Sequence, residues 1–148
     1  MIRSKRRQLL RNGAGHATRI VAAGTLTSLS IPLSALANSR DARRLDLVHT
    51  HTHETIDIVY AIADRPIPRA IGSLNRFLRD HYTGDVGEID PQVLDLLYRV
   101  RRELGTDRPY EIISAYRSPA TNARLRQTGG GGVAKRSLHM EGQAIDVR

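Results

Sequence analysis

The run Ser137-Leu138-His139-Met140-Glu141-Gly142-Gln143-Ala144-Ile145-Asp146 sets an imidazole and a carboxylate seven positions apart, with a glycine between them. Gly142 can reverse the chain, after which Gln143 to Val147 read as extended. Alternate side chains on a strand share a face, so Ala144 and Asp146 point the same way, and Ala144 is small enough to leave room beside a ligand. A hairpin-like return would let His139 and Asp146 meet at one ion. An imidazole nitrogen and a carboxylate oxygen are both ligands that a catalytic zinc takes, with water in its open position. On spacing alone, a loop histidine and a solvated strand aspartate are the favoured reading of these residues, because short motifs recur by chance.

A second run lies upstream, Ile112-Ile113-Ser114-Ala115-Tyr116-Arg117-Ser118-Pro119-Ala120-Thr121-Asn122. Tyr110 to Tyr116 reads as a central strand, and Arg117 stands where the chain turns through Ser118-Pro119. A guanidinium fork there can hold a carboxylate bidentately, although without its context it would read as a surface arginine. Tyr116 reads as a core residue or a pocket wall, with core the favoured reading.

Together the two runs resemble the hedgehog/DD-peptidase-fold zinc peptidases, the group of D-alanyl-D-alanine carboxypeptidases and murein endopeptidases. In particular they are similar to its murein endopeptidase K-like branch, which carries S-x-Y-R-S-P-x-T-N and then S-x-H-x-x-G-x-A-x-D behind a twin-arginine signal. The resemblance covers essentially the whole chain. It implies an α+β fold, a small antiparallel sheet packed with helices. It implies that zinc is bound by His139 and Asp146, that Arg117 contacts a substrate carboxylate, and that the substrate is a peptidoglycan stem peptide or cross-link. It also implies a third zinc-binding histidine and the catalytic acid/base a few tens of residues after the aspartate, so a sequence ending at Arg148 is expected to be a C-terminally incomplete domain. Glu141 occupies a variable position of the motif and is not assigned, which leaves the catalytic base unknown. Two functions stay open: a zinc-dependent murein peptidase, or a truncated non-catalytic remnant that at most binds cell-wall peptide.

Composition narrows the compartment. The chain has 148 residues, enough for one small domain, and no cysteine, which excludes disulfides and thiolate metal sites. The formal charge of +8 suggests nucleic acid until it is located. Residues 1–37 hold six basic residues and no acid, and without them 17 basic face 15 acidic residues. The excess is a targeting feature, and nucleic-acid binding is disfavoured. Met1 to Arg19 is basic, Ile20 to Leu36 is apolar and uncharged, and Ala35-Leu36-Ala37 is a small-x-small cleavage site. Lys5-Arg6-Arg7-Gln8-Leu9-Leu10 fits a twin-arginine address, which predicts a signal over 1–37, a mature domain over 38–148 and a periplasmic or cell-surface location through the twin-arginine translocase. An ordinary secretory signal or an uncleaved anchor is the alternative. Gly24 and Pro32 make the apolar run a weak membrane span.

The remaining elements must carry these motifs. Asn38 to Arg44 reads as a polar lead-in, and Leu45–His49 and Ile56–Tyr60 as a β-hairpin. His49, His51 and His53 recur at spacing two, which on a continuous strand is metal-like geometry. The favoured reading is three solvent-facing turn histidines; the related family has H-T-G-E here, with His53 in place of its glycine, and no zinc at this turn. Arg65-Pro66-Ile67-Pro68 breaks the chain, and Ile71, Leu74, Phe77 and Leu78 follow at helical spacing. Asp80 to Glu88 reads as a loop. Asp90-Pro91 opens the clearest helix, in which Val93, Leu94, Leu97, Val100, Arg101 and Leu104 recur before Gly105 ends it. Ala120 to Gln127 reads as a short helix with Asn122 holding the turn, Thr128 to Val133 as a glycine-rich rim, and Lys135-Arg136 as a solvated pair.

Overall fold

Alternation in the sequence becomes alternation in space in the first strand, β1 (Ala42–His49), where Leu45, Leu47 and His49 face the core. The structure, a computed structural model, describes residues 40–129 and 132–148. The export signal expected over 1–37 and the middle of the glycine run lie outside the described residues. Strand β1 starts earlier than the sequence suggested. Arg43 and Arg44 belong to it because each finds a carboxylate nearby: Arg43 meets Asp95 at 2.8 Å, and Arg44 pairs across the ladder with Asp57.

β2 (Thr55–Ile62) returns antiparallel to β1, and β3 (Arg65–Pro66) extends its free edge. Two helices follow, α1 (Pro68–Phe77) and α2 (Pro91–Leu104), then β4 (Tyr110–Ser114), α3 (Pro119–Thr128), a 3-10 turn (Leu138–Glu141) and β5 (Asp146–Val147). The sheet order is β3-β2-β1-β4-β5. The α+β class is as expected, but the sheet is mixed and not purely antiparallel, because β4 runs parallel to β1 with Leu47 opposite Tyr110 and His49 opposite Ile112. The long connection through α1 and α2 brings the chain back to the end from which β1 started, which only a crossover can do. β5 is also shorter than the extended run expected from Gln143, since the amide of Gln143 bonds back to the Leu138 carbonyl at 2.9 Å.

Leu45, Leu47, Tyr60, Leu74, Leu78, Leu94 and Ile112 form the centre of the core. Each such leucine contributes about 1.5–3 kcal/mol by leaving water. Asp90 caps α2 by accepting from the Gln92 amide at 2.9 Å, and Gly105 ends it with φ of 59°. Only the first half of the apolar stripe is covered: Leu94 and Leu97 are buried, whereas Val100 and Leu104 are 40% and 67% exposed. No helix among the described residues is long and apolar enough to cross a membrane.

Two loop residues hold the carboxyl end of β4 in place. Asp80 is buried and accepts from the amides of Tyr82 and Ser118, each at 2.9 Å. Burial alone would raise its pKa, but hydrogen bonds from Thr121 and Ser118 outweigh it and bring the carboxyl down to about 2. Gly142 sits at φ of +66°, and a Cβ there would lie 1.9 Å from the Glu88 carbonyl oxygen. Its own carbonyl accepts from the Asp90 amide at 3.0 Å. The motif glycine is therefore a packing requirement between the 3-10 turn and the loop before α2.

Three outcomes follow from these contacts. Gly142→Ala is expected to lower stability by at least about 2 kcal/mol in urea unfolding, from the left-handed backbone and the carbonyl clash together. Asp80 has a folded pKa below its unfolded one, so its contribution is complete above the ordinary carboxylate value of 3.8 and is lost as pH falls towards about 2. Asp80→Asn is therefore expected to flatten the acid limb of the stability profile across that window, read by denaturant unfolding at a series of pH values. His53 holds φ of 59° without being glycine, so His53→Gly is expected to raise stability by about 0.5–1 kcal/mol in the same assay.

Candidate active site

The end of β4 organises the site through backbone groups. The Ala115 carbonyl meets Nδ1 of His139 at 2.8 Å, and the amide of Arg117 donates to the His139 carbonyl at 3.1 Å. A carbonyl can only accept, so Nδ1 carries a hydrogen, and in the neutral ring Nε2 is left with its lone pair. β5 pairs with β4 in a register that sets Asp146 opposite Ser114. The result is that His139 Nε2 lies 3.4 Å from Asp146 Oδ2. The imidazole is 13% exposed and the carboxylate 54%, so the pair is reached from the carboxylate side. A neutral imidazole lone pair and a carboxylate oxygen that face one another repel unless a proton or a cation lies between them. Among the described residues, no set of three or more histidine, cysteine, aspartate or glutamate side chains is placed to hold a metal ion.

Arg117 leaves β4 at the same end. Its guanidinium reaches Asn122 Oδ1 at 3.5 Å, and among the described residues no carboxylate lies within ion-pair distance of it. Asn122 is buried and donates to the Ala134 carbonyl at 3.1 Å, so it holds the far end of the glycine-rich segment as well as the turn. Arg117 lines a cleft of about 160 Å³ together with His51, Asp80, His81, Tyr82 and Tyr116. Tyr116 is both core and wall: it packs on the core cluster and also presses on Gly87, where a Cβ would lie 2.2 Å from its ring.

Two of the hairpin histidines, His49 and His51, meet edge to face with ring centroids 6.0 Å apart. His49 is fully buried at the end of β1, which corrects the solvent-facing expectation for it. Its Nδ1 accepts from the amides of His51 and Thr52 at 3.2 and 3.4 Å, so the turn folds back over the ring. Burial, and the neighbouring His81 and His51, bring its pKa down to about 4. His53 is exposed in the turn. Sequence reasoning missed His81, which lies in the loop after α1. Its ring stacks on His51 with centroids 4.3 Å apart and planes at 5°, and its Nε2 is closed to solvent with no hydrogen-bond partner. An orphaned buried nitrogen of this kind costs about 1–3 kcal/mol. No periodic signal could have found it, because loop residues carry none. Glu141 points to Arg136 at 4.0 Å, and Lys135 and Arg136 are exposed as expected.

Comparison with known proteins shows the family. A family model described as peptidoglycan L,D-endopeptidase MepK matches residues 37–148. The peptidoglycan L,D-endopeptidase MepK of Escherichia coli strain K12 is 39% identical over 118 residues, which are 80% of this chain and 64% of the relative. The probable peptidoglycan L,D-endopeptidase MepK of Haemophilus influenzae is 32% identical over 115 residues, 77% of this chain and 61% of the relative. The chain thus spans somewhat under two thirds of the length of these curated relatives. No solved structure gives a significant match. Through residues 37–148 the chain belongs to the peptidoglycan L,D-endopeptidase MepK family.

Proposed function

We propose that this chain carries the metal-binding and carboxylate-binding part of a peptidoglycan peptidase that hydrolyses stem peptides or peptide cross-links. The observation that carries this reading is the 3.4 Å separation of His139 Nε2 and Asp146 Oδ2, with Nδ1 already engaged. Tetrahedral zinc with bond lengths of about 2.0–2.2 Å keeps adjacent ligand atoms about 3.4 Å apart. A direct imidazole–carboxylate hydrogen bond would be shorter, at about 2.7–2.9 Å. The carbonyl behind Nδ1 is also the outer-shell partner that a metal-bound histidine commonly uses.

The donor set of one imidazole and one carboxylate therefore fits zinc, and these two side chains would hold it. Bound there, zinc would supply an activated water and polarise the scissile carbonyl. The chain's own residues do the positioning. Ala115 fixes the plane of the His139 ring, Ser114 fixes the height of Asp146 through the ladder, and Arg117, with no carboxylate partner among the described residues, offers its fork to a substrate carboxylate. No residue is assigned as general base. We place the mature protein in the periplasm or at the cell surface, exported by the twin-arginine signal of residues 1–37.

A second reading is favoured by the absence of a third ligand among the described residues. In it the chain binds cell-wall peptide and does not cleave it. The two readings separate by metal analysis of the purified full chain. The peptidase reading expects about one zinc per chain after dialysis, and His139→Ala or Asp146→Ala is expected to weaken zinc at least about 100-fold, beyond what loss of an outer-shell partner costs. Peptide binding that depends on Arg117 and ignores added zinc, in a chain that retains no metal, would support the second reading and refute the first.

A further inference from the structure

The cleft beside Arg117 has more chemistry than one guanidinium. Its volume of about 160 Å³ is well below the ~300–1,000 Å³ of sites for drug-sized ligands, so it takes about one amino-acid residue. Its balance of charge favours an anion. Two guanidiniums, Arg117 and Arg124, stand against the one ionised carboxylate of Asp80, and all three act on His81. Glu54, in the hairpin turn, is held by Arg79 at 2.9 Å.

The wall of the cleft also holds an unused donor or acceptor. His81 Nε2 has no partner, and the ring is held in plane by stacking on His51. Burial first, then the charges of His51, Arg117 and Arg124, outweigh the opposing Asp80 carboxylate and keep the pKa of His81 low, which favours the neutral ring. The centroid of the Tyr82 ring lies 4.2 Å from that of His81. Tyr82 is 54% exposed, and its ring carries the Arg124 guanidinium 4.4 Å from its centroid. It is therefore a rim residue that can give way without disturbing the core.

We infer that this cleft is a single-residue carboxylate subsite, in which His81, held by His51, works beside Arg117 to tell a free carboxylate from its amide. The inference rests on the proposed function, in that Arg117 is taken as the first anchor of the carboxylate. A carboxylate brings only acceptors, which suit one imidazole N–H and one guanidinium fork together. An amide brings two N–H donors towards Arg117 and loses the charge, so it is rejected for leaving buried groups unpaired.

The test is calorimetric titration of the full chain, with a chelator present so that no hydrolysis intrudes. The ligands are a peptidoglycan stem tetrapeptide with a free terminal carboxylate and the same peptide as its terminal amide. The wild-type chain is expected to prefer the acid. His81→Phe keeps a ring for the stack and removes both nitrogens, and is expected to reduce that preference about tenfold by weakening only the acid. Arg117→Ala is expected to weaken acid binding on its own account. If His81→Phe keeps the full preference while Arg117→Ala loses it, the role of His81 is overturned and Arg117 stands as anchor. If the wild type does not prefer the acid, the subsite and the Arg117 reading fall together. Should His81→Phe unfold, side-chain nitrogen NMR of the wild type decides: saturation with the acid is expected to move the His81 ring signals, and their failure to move overturns the inference.

Discussion

The arrangement of this domain depends on one hydrogen bond, from Nδ1 of His139 to the carbonyl of Ala115. It fixes the tautomer, the ring plane and the direction of the remaining lone pair at once. The Arg117 amide answers it by bonding the His139 carbonyl, so the strand end and the 3-10 turn are tied in both directions. Arg117 and His139 therefore cannot shift independently. Asp146 joins them through the ladder, since it sits opposite Ser114, next to the residue whose carbonyl holds His139. Three side chains of complementary chemistry thus hang on the last few residues of one strand.

Holding a strand end in this way requires rigid support from irregular chain, and the loop after α1 provides it. The Asp80 amide bonds the Asp85 carbonyl at 2.9 Å, the Ile89 amide bonds Asn75 Oδ1 at 3.1 Å, and the Tyr116 amide bonds the Leu78 carbonyl at 3.0 Å. Each of these satisfies a backbone group that would otherwise be buried unpaired. The same loop presents the Glu88 carbonyl to Gly142, which is why no side chain is tolerated in the motif there. A loop that looks like a mere connection in sequence is a structural part of the site.

The elements with strong local signals were legible in the sequence. Asp90-Pro91 and Gly105 mark both ends of α2, and alternation marks the hairpin, because caps and periodicity are written in neighbouring residues. The pairing of His139 with Asp146 was legible only as a possibility of spacing, since the return that brings them together depends on β4, some thirty residues upstream. The parallel register of β1 and β4 left no local trace at all. His49 was misread as exposed because a polar turn follows it directly, yet its alternation with Leu45 and Leu47 already put it on the buried face. Asp80 and His81 carry site chemistry from a segment with no period, so only tertiary contacts reveal them.

The distribution of charge explains why the two halves of the site can coexist. On the cleft side Asp80 is hydrogen-bonded by backbone amides and Glu54 is paired with Arg79, and among the described residues no carboxylate lies within ion-pair distance of Arg117. On the other side Asp146 is a half-exposed carboxylate 3.4 Å from His139 Nε2, which in the neutral ring offers it a lone pair and not a hydrogen. One side is thus short of an anion and the other short of a cation. A peptide carboxylate and a divalent metal ion would satisfy them separately, where exchanging the two would place like charges together. The imidazoles between hairpin and loop suit this division because burial holds His49 and His81 neutral, so they add hydrogen-bonding capacity without adding positive charge beside Arg117.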